Sequence, residues 1–404
     1  MSQICNHHRI KIVVVVAVLL LVVFSYAYAD KKFGKVVYEF NHDEPIASAR
    51  VEPIKEIPKH IETPDVVKSI YMSACAAGSN SFRESLLGIA DTTEVNSIII
   101  DVKDFSGTIS FDSGLEGDAG TGCRVSDMKE FLELLRQKNI YRIARVTVFQ
   151  DPFYSKRHPE LAVKKNSDRN AIWADRKGIN FIDVSARPYW DYIVSLSEKS
   201  HEIGFDEINF DYVRFPSDGN MTDIYFSWSN ETLVQKGVLG KQIALENFFK
   251  YLSEKMRAKE IVTSADLFGM VTTNYDDLNI GQVLERALPH FDYIAPMVYP
   301  SHYPPNFNGW KNPNTVPYEL IHFVMGSAVE RVEAFKNATT TSAEVAERVS
   351  VEQLRPWIQD FDYGGNYDVA EVKAQIRASY DVGLDSWMLW APSNRYTKGA
   401  LKVE

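Results

Sequence analysis

The sequence predicts an α/β fold, a closed (β/α)8 barrel of the TIM type with long loops after its strands. The first observation is a strict alternation of short apolar strands with helices from residue 66 onward. The second is that the longest connecting segments all follow predicted strand ends, at 150–180, 214–240 and 299–316. The third is that several strands finish on an acidic residue, which points to chemistry at that end of the barrel.

The elements follow one another in a regular order. The eight predicted strands cover residues 66–73, 96–102, 140–149, 206–213, 261–268, 291–299, 354–360 and 384–390. The helices between them are predicted at 82–90, 127–138, 188–203, 241–259, 280–288, 317–335 and 369–382. Gly204 directly after the third of these helices is a good C-terminal glycine.

An open, doubly wound sheet is the alternative topology. Such a sheet usually has a glycine-rich phosphate loop after its first strand, and the segment at 73–79 (SACAAGS) is not one. Eight parallel strands separated by helices therefore favour the closed barrel.

The fourth predicted strand is the most informative part of the chain. In the run 204–216 (GFDEINFDYVRFP), apolar residues alternate with Glu207, Asn209 and Asp211. An edge strand with one wet face would explain this pattern, but the flanking helices favour an interior parallel strand. A buried strand that ends on a carboxylate carries a large desolvation cost, which is typical of a site of chemistry.

The composition is that of a globular protein, with 45% hydrophobic and 24% charged residues. The formal net charge is −10, so the chain does not attract a polyanion and we expect no nucleic-acid partner.

The first 29 residues predict a secretory signal peptide. Basic residues precede an apolar run at 12–24, and Ala27-Tyr28-Ala29 forms an A-x-A cleavage site. We therefore expect an exported protein (periplasmic, cell-envelope or extracellular) without a stable membrane anchor, and an uncleaved anchor is the alternative. The proline-punctuated residues 30–64 are predicted to be a linker, and the barrel domain is predicted to cover 65–404.

The mature chain would keep two cysteines, Cys75 and Cys123. Export permits a disulfide between them, and two buried free thiols are the alternative, because the sequence fixes no distance between the sulfurs.

The acidic strand ends form the candidate site. In a barrel these ends meet at one mouth, where clustered carboxylates move one another's pKa values apart. Glycoside hydrolysis needs such a pair, one group as the acid and one as the base or nucleophile. The polar residues at or just beyond the strand ends are Asp101, Asp104, Arg145, Asp211, Arg214, Asp266, Gln359 and Asp360.

Other chemistries have weaker support. Asp101, Asp211 and Asp266 could instead hold a hard cation through oxygen ligands. The nine histidines show no H-x-H or H-E-x-x-H spacing for zinc. The chain also has no G-x-S-x-G elbow for serine chemistry, so we expect neither a metal nor a cofactor.

A resemblance to a known family rests on six segments. They are 100–104 (IDVKD), 145–151 (RVTVFQD), 204–216, 295–303 (APMVYPSHY), 354–361 (LRPWIQDF) and 387–394 (WMLWAPSN). Through them, residues 66–400 resemble a family of exported bacterial glycoside hydrolases of unknown substrate. The resemblance implies a TIM-type barrel and an oligo- or polysaccharide substrate.

Two further barrel families are similar at a greater distance. On the pattern of the α-amylase family, Asp211 stands at the nucleophile, Asn209 replaces the arginine, and Asp266 stands where that family has the acid glutamate. On the pattern of the chitinase family, the catalytic glutamate falls on Val213, which disfavours the substrate-assisted route.

The sequence therefore predicts a glycoside hydrolase in which Asp211 is the nucleophile or base and Asp266 is the acid. A non-catalytic carbohydrate-binding barrel and a metal-dependent hydrolase or deacetylase are the alternatives. Arg214 could instead be a surface partner of Asp218, and Trp390 could simply fill the barrel. Supporting or substrate-binding roles are assigned to Asp101, Asp104, Arg145, Asn209, Arg214, Tyr299, Gln359, Asp360, Trp390 and Asn394.

Overall fold

A computed structural model describes residues 58–338 and 342–403. The predicted signal peptide at 1–29, and the predicted linker up to residue 57, lie outside the described residues. The barrel strands are β1 Lys68–Met72, β2 Ser97–Lys103, β3 Tyr141–Thr147, β4 Glu207–Asp211, β5 Val262–Phe268, β6 Tyr293–Met297, β7 Trp357–Gln359 and β8 Trp387–Trp390.

The eight strands form a closed parallel barrel, as the sequence predicted. Their order around the barrel is β1-β8-β7-β6-β5-β4-β3-β2. Closure is made between β1 and β8, where Lys68 pairs with Trp387. Strand β4 pairs with β3 on one side and β5 on the other and is buried along its whole length, so it is an interior strand.

The helices lie between the strands in the chain. In the described part of the chain they are α1 Ala74–Ala77, α2 Asn80–Ala90, α3 Met128–Gln137, α4 Pro152–Arg157, α5 Arg187–Ile203, α6 Asn230–Lys236, α7 Gly240–Arg257, α8 Leu284–Ala287, α9 Pro317–Asn337, α10 Ala343–Arg348 and α11 Val369–Asp381. Helix α5 has proline in its first turn and ends at Gly204, whose φ of 122° few other residues adopt. Helix α11 begins with a capping box between Asp368 and Glu371.

One predicted helix is much shorter than expected. The sequence predicted a helix at 280–288, and only Leu284–Ala287 is helical. The backbone just before it is left-handed at Leu278, Asn279 and Gly281, with φ values of 49°, 58° and 86°. A helix cannot continue through such residues, so the segment is a loop that turns back towards the barrel.

The long loops after β3 and β4 support each other. Lys164–Lys165 and Ile224–Tyr225 form a two-stranded antiparallel sheet between these loops. The indole N–H of Trp173 also donates to the carbonyl of Asn220, at 3.0 Å. Residues predicted to be long irregular connections are therefore held together over this side of the barrel.

Polar side chains occupy the barrel interior near the N-terminal ends of the strands. Glu207 and Arg355 form an ion pair of 2.8 Å, and the Tyr141 hydroxyl donates to Glu207 at 3.2 Å. Both charged side chains are almost wholly buried, so the pair keeps each charge compensated inside the core.

The described end of the predicted linker lies against the domain. The amide of Ile61 donates to Asp206, at 2.8 Å, and Arg142 donates to the carbonyl of Lys59, at 3.0 Å. Asp206 and Arg142 are themselves a buried ion pair just before β4 and on β3. The chain thus enters the barrel from its N-terminal end.

A disulfide joins Cys75 and Cys123, whose Cα atoms are 5.0 Å apart. It links helix α1, which directly follows β1, to the loop after β2. Separately, no helix within residues 58–338 and 342–403 is long and apolar enough to cross a membrane.

We expect the double variant Cys75→Ser/Cys123→Ser to be less stable than the native protein by about 2–4 kcal/mol. The bond spans 48 residues, and losing it frees that loop in the unfolded chain. Guanidinium denaturation of oxidised protein measures the difference, and native protein unfolded with a reductant is the control. Equal midpoints for the variant and the oxidised protein would refute a stabilising bond.

Candidate active site

A cavity of about 350 Å³ opens at the C-terminal end of the barrel. Its wall comes from the ends of β3 to β8 and from the loops that follow β4 and β6. The lining residues are Arg145, Asp211, Tyr212, Arg214, Asp266, Phe268, Met297, Tyr299, His302, Trp357 and Trp390. Barrel enzymes carry their sites at this end, so the cavity is the candidate active site.

The Arg145 guanidinium stands at the centre of the site. It donates to Asp101 at 2.7 Å and also to Asp211, and its Nε lies 3.6 Å from Asp266. Three strands bring the three carboxyl groups to it, β2, β4 and β5. The side chains of all four residues are at most 9% exposed, so water screens these charges poorly.

Asp211 is the last residue of β4, and the backbone turns sharply after it. Tyr212 has a φ of 53°, which is uncommon for a residue with a side chain. This conformation lets the Tyr212 amide donate to Asp211 Oδ1, at 2.5 Å, while Oδ2 accepts from Arg145. The two donors each hold one oxygen of the carboxyl group, and the local backbone strain fixes its direction.

Asp266 on β5 has a different environment. Its Oδ1 accepts from the indole of Trp357, at 2.7 Å, and from the amide of Asn209, at 2.9 Å. Burial raises the pKa of Asp266 to about 8, and the negative charge of Asp211 adds to the effect. Both bonds fall on Oδ1, whereas Oδ2 faces the Nε of Arg145 at 3.6 Å, which is beyond hydrogen-bond distance.

Asp101 on β2 completes the cluster. Its Oδ2 accepts from the Tyr71 hydroxyl at 2.5 Å, and its Oδ1 accepts from Arg145. Burial raises the pKa of Asp101, whereas Arg145 and Tyr71 oppose that rise. Burial disfavours the charged Arg145, but Asp211 and Asp101 together raise its pKa well above the ordinary value.

The charges in the cluster do not balance if every group ionises, because one guanidinium faces three carboxyl groups. Asp101 and Asp211 receive charge-assisted bonds from Arg145, whereas the bonds to Asp266 come from neutral donors. Asp266 therefore differs from the other two in its partners, and its pKa is raised to about 8. Two carboxyl groups in different environments share a single cavity, which is the arrangement that acid–base chemistry uses.

Aromatic rings surround the carboxyl groups. Trp390 packs face to face on Tyr71, with ring centroids 4.0 Å apart, and edge to face on Trp357 at 5.6 Å. The Arg145 guanidinium lies 5.0 Å from the Trp390 ring, and Tyr299 is 6.3 Å from it. Trp390 therefore packs in the barrel and also lines the cavity. Filling the barrel and lining a binding site, the two roles considered for it from the sequence, are compatible.

Arg214 lines the cavity beside Asp211. It donates to the carbonyl of Phe215 and to Ser217, both at 3.1 Å. Within the described residues no ion pair joins Arg214 to Asp218, the partner of the alternative interpretation. Its guanidinium is therefore held at the rim by uncharged acceptors.

Six predicted site residues do not line this cavity, namely Asp101, Asp104, Asn209, Gln359, Asp360 and Asn394. Gln359 donates to the carbonyl of Phe361 at 2.9 Å and accepts from Ser301, so it ties two loops to β7. Asp360 accepts from the amide and hydroxyl of Thr397, at 2.8 and 2.6 Å, and so holds the C-terminal segment.

Asn394 accepts from the amide and hydroxyl of Ser73 and joins the end of β8 to the end of β1. The hydrogen bonds of Gln359, Asp360 and Asn394 thus connect loops and strand ends around the barrel mouth. Asp101 and Asp104 line a neighbouring cavity.

Sequence reasoning missed Tyr71, Trp357 and Ser264. Tyr71 and Trp357 bond directly to the site carboxyl groups, and Ser264 accepts from Asn209 at 3.0 Å. A signal was available, because each lies two residues before a strand-end position and so points to the same face of its strand. Ser264 precedes Asp266 and Trp357 precedes Gln359 in this way.

In the part of the chain that the structure describes, no three His, Cys, Asp or Glu side chains are arranged to hold a metal ion. The three aspartates that the sequence suggested as ligands surround a guanidinium instead. The donor set therefore does not fit a cation between these carboxyl groups.

Comparison with known proteins gives a family and a fold. Residues 69–396 match a family model described as "Putative glycosyl hydrolase domain". The glycoside hydrolase domain of PgaB (BpsB) from Bordetella bronchiseptica aligns with a TM-score of 0.58 at 12% identity, over 84% of this chain and 99% of that one.

Two further structures align less closely. A hypothetical protein from Ruminiclostridium thermocellum is 28% identical over 49% of this chain and 96% of its own, with a TM-score of 0.42. A chitinase from Chromobacterium violaceum is 12% identical over 83% of this chain and 97% of its own, with a TM-score of 0.47. The comparison with curated proteins found no match.

We expect a carboxyl group of the native protein to titrate near pH 8, and this transition to be absent from Asp266→Asn. In Asp211→Asn the transition should move to lower pH, because the negative charge that opposes ionisation of Asp266 is gone. Infrared spectroscopy of the protonated carboxyl stretch measures both effects. A transition that stays in place when Asp211 is neutralised would contradict the proposed coupling.

Proposed function

This chain belongs to a family of glycosyl hydrolase domains, and from that premise we propose that it hydrolyses O-glycosyl bonds of a glycan through Asp266 and Asp211. The observation that supports the proposal most directly is the difference in environment between these two groups. Asp266 has a pKa of about 8, and Asp211 is bonded to the Arg145 guanidinium in the same cavity.

In the proposed chemistry, Asp266 acts as the acid and Asp211 acts as the nucleophile or base. Asp266 gives its proton to the glycosidic oxygen, so the sugar leaves as a neutral alcohol. Asp211 either attacks the anomeric carbon or takes a proton from the water that attacks it. In the first case, water later hydrolyses the glycosyl ester and returns a proton to Asp266.

Arg145 has a positioning role in this proposal. It bonds to Asp211 through Nη2 and to Asp101 through Nη1, so Asp101 neutralises much of its charge. Arg145 thereby fixes the direction of the Asp211 carboxyl group while sharing its charge with Asp101. Trp357 and Asn209 position Asp266, because both of their bonds hold its Oδ1.

The cavity wall suits a sugar. Tyr299, Trp390 and Phe268 present ring surface, and Arg214 and His302 present polar groups. Flat apolar faces with polar edges match the alternation of C–H and O–H groups on a pyranose. A volume of about 350 Å³ lies within the range of small-ligand pockets. We also propose that the protein acts outside the cytoplasm, because the sequence at 1–29 has the pattern of a secretory signal.

We expect Asp211→Asn and Asp266→Asn each to lower kcat by about 10²–10⁴-fold while the protein stays folded, because each removes one proton-transfer or attacking group. A reducing-sugar assay of the purified mature protein on a polysaccharide panel measures the activity. Asp360→Asn is the matched control, since Asp360 is also buried but bonds to Thr397 outside the cavity.

The outcome can decide between the functional alternatives. Full activity of either site variant would end the assignment of that residue. Glycan binding without hydrolysis by the native protein would favour the non-catalytic carbohydrate-binding barrel.

We expect the activity to fall as the pH rises through about 8, because Asp266 then loses the proton that the leaving oxygen needs. The indole N–H of Trp357 favours ionised Asp266, so Trp357→Phe should move this alkaline limb to higher pH. The pH dependence of kcat/KM measures both effects. A limb that moves to lower pH in Trp357→Phe would overturn the role of the indole.

A further inference from the structure

A second cavity of about 340 Å³ lies beside the first, at the ends of β1, β2 and β3. It shares the residues Arg145, Tyr212 and Trp390 with the first cavity. These three side chains form a ridge between two spaces of nearly equal size. The remaining lining residues of the second cavity are Tyr71, Ser73, Ala74, Cys75, Asp101, Asp104, Phe105, Thr147 and Pro392.

The proposed hydrolysis does not use two features of this second cavity. Phe105 is an aromatic ring that stays 57% exposed in its wall. Thr147 is wholly buried, and its hydroxyl has no hydrogen-bond partner among the residues that the structure describes. An exposed ring and an unpaired buried hydroxyl in one cavity indicate a ligand with an apolar face and polar groups.

Asp104 supplies a further polar contact. It accepts from the amide and hydroxyl of Ser106, at 2.9 and 2.6 Å, and both bonds fall on Oδ1. Oδ2 is left to accept from a ligand hydroxyl. Asp101 in the same wall is paired with Arg145, whereas no ion pair to Asp104 is found within the described residues, so Asp104 would repel a sugar that carries its own carboxylate.

The wall of the second cavity is held by covalent and hydrogen-bonded links. Cys75 lies in the wall and is bonded to Cys123. Ser73 donates to Asn394 at 2.7 Å and accepts from Ala76, which fixes the turn after β1. The cavity is therefore preformed, which lowers the entropy cost of binding.

We propose that the second cavity is a sugar-binding subsite, and that the substrate is an oligosaccharide chain lying across the ridge of Arg145, Tyr212 and Trp390. The occupant is a sugar without a carboxylate, stacked on Phe105 and bonded to Asp104 and Thr147. This inference rests on the proposed function and extends it, since it assigns the enzyme a chain substrate rather than a single-sugar glycoside.

The test measures affinity against chain length in the Asp211→Asn background, which keeps the ligand intact. Glucose and N-acetylglucosamine oligosaccharides of one to six units are titrated by calorimetry. We expect the affinity to rise as the chain becomes long enough to cross the ridge. Phe105→Ala in that background should weaken the longer chains by about tenfold or more and leave the shortest ligand that binds unchanged.

Two further variants sharpen the result. Asp104→Asn should weaken the same chains and leave the shortest ligand unchanged. Tyr275→Ala is the control, because Tyr275 is an exposed ring that packs on Arg331 and lines neither cavity. The subsite is rejected if Phe105→Ala affects all lengths equally or none, or if no chain of either series binds more tightly than its monosaccharide.

Failure of the subsite differs from failure of the hydrolase proposal. If Phe105→Ala weakens the binding of long chains only and the native protein hydrolyses none of them, the subsite stands and the catalytic assignment is rejected. If Asp211→Asn abolishes hydrolysis and Phe105→Ala does not change the affinity for any chain length, the catalytic assignment stands and the subsite is rejected.

Discussion

The structure of the site depends on one guanidinium shared by three buried carboxyl groups. Arg145 pairs with Asp101 and Asp211 and approaches Asp266 to 3.6 Å. Three ionised carboxyl groups around one guanidinium would leave two negative charges uncompensated in a poorly hydrated place, which favours protonation within the cluster. The pKa of Asp266 is raised to about 8 and its hydrogen bonds come from neutral donors, whereas the cation donates to Asp101 and Asp211. The proposed chemistry follows from this difference in partners.

The barrel makes this arrangement through the two-residue period of its strands. Along β4, Glu207, Asn209 and Asp211 all point inwards, at successive depths. The deepest is neutralised by Arg355, and the next bonds to Ser264 and Asp266. Charges inside the core are therefore compensated at the lower level, whereas at the mouth three carboxyl groups surround one guanidinium. The imbalance is confined to the end of the barrel that is open to a ligand.

The sequence predicted the barrel and its strand order because apolar strands and helices alternate clearly along the chain. It also predicted that Asp101, Arg145, Asp211 and Asp266 meet, because the C-terminal ends of parallel strands share one end of a barrel. The sequence could not predict which of two neighbouring positions faces the barrel interior. Gln359 and Asp360 are an example, because the strand has only three residues and Asp360 directly follows it. Nor could it predict partners across the barrel, so the bonds of Tyr71 and Trp357 were missed. The helix at 280–288 was predicted too long because Gly281, with a φ of 86°, interrupts it, and a single glycine inside a helical pattern does not by itself mark a break.

Asp101 and Asp211 are both bonded to Arg145, and their further contacts separate their roles. Asp101 also accepts from Tyr71 and lines the second cavity, away from the protonated Asp266. Asp211 accepts from the Tyr212 amide and lines the same cavity as Asp266. In the proposed mechanism, Asp211 is therefore the carboxyl group that faces the bond protonated by Asp266. Asp101 is the counter-charge of Arg145 and shares the guanidinium with Asp211. The ridge of Arg145, Tyr212 and Trp390 thus lies between the first cavity, which Asp211 and Asp266 line, and the second cavity, which they do not line.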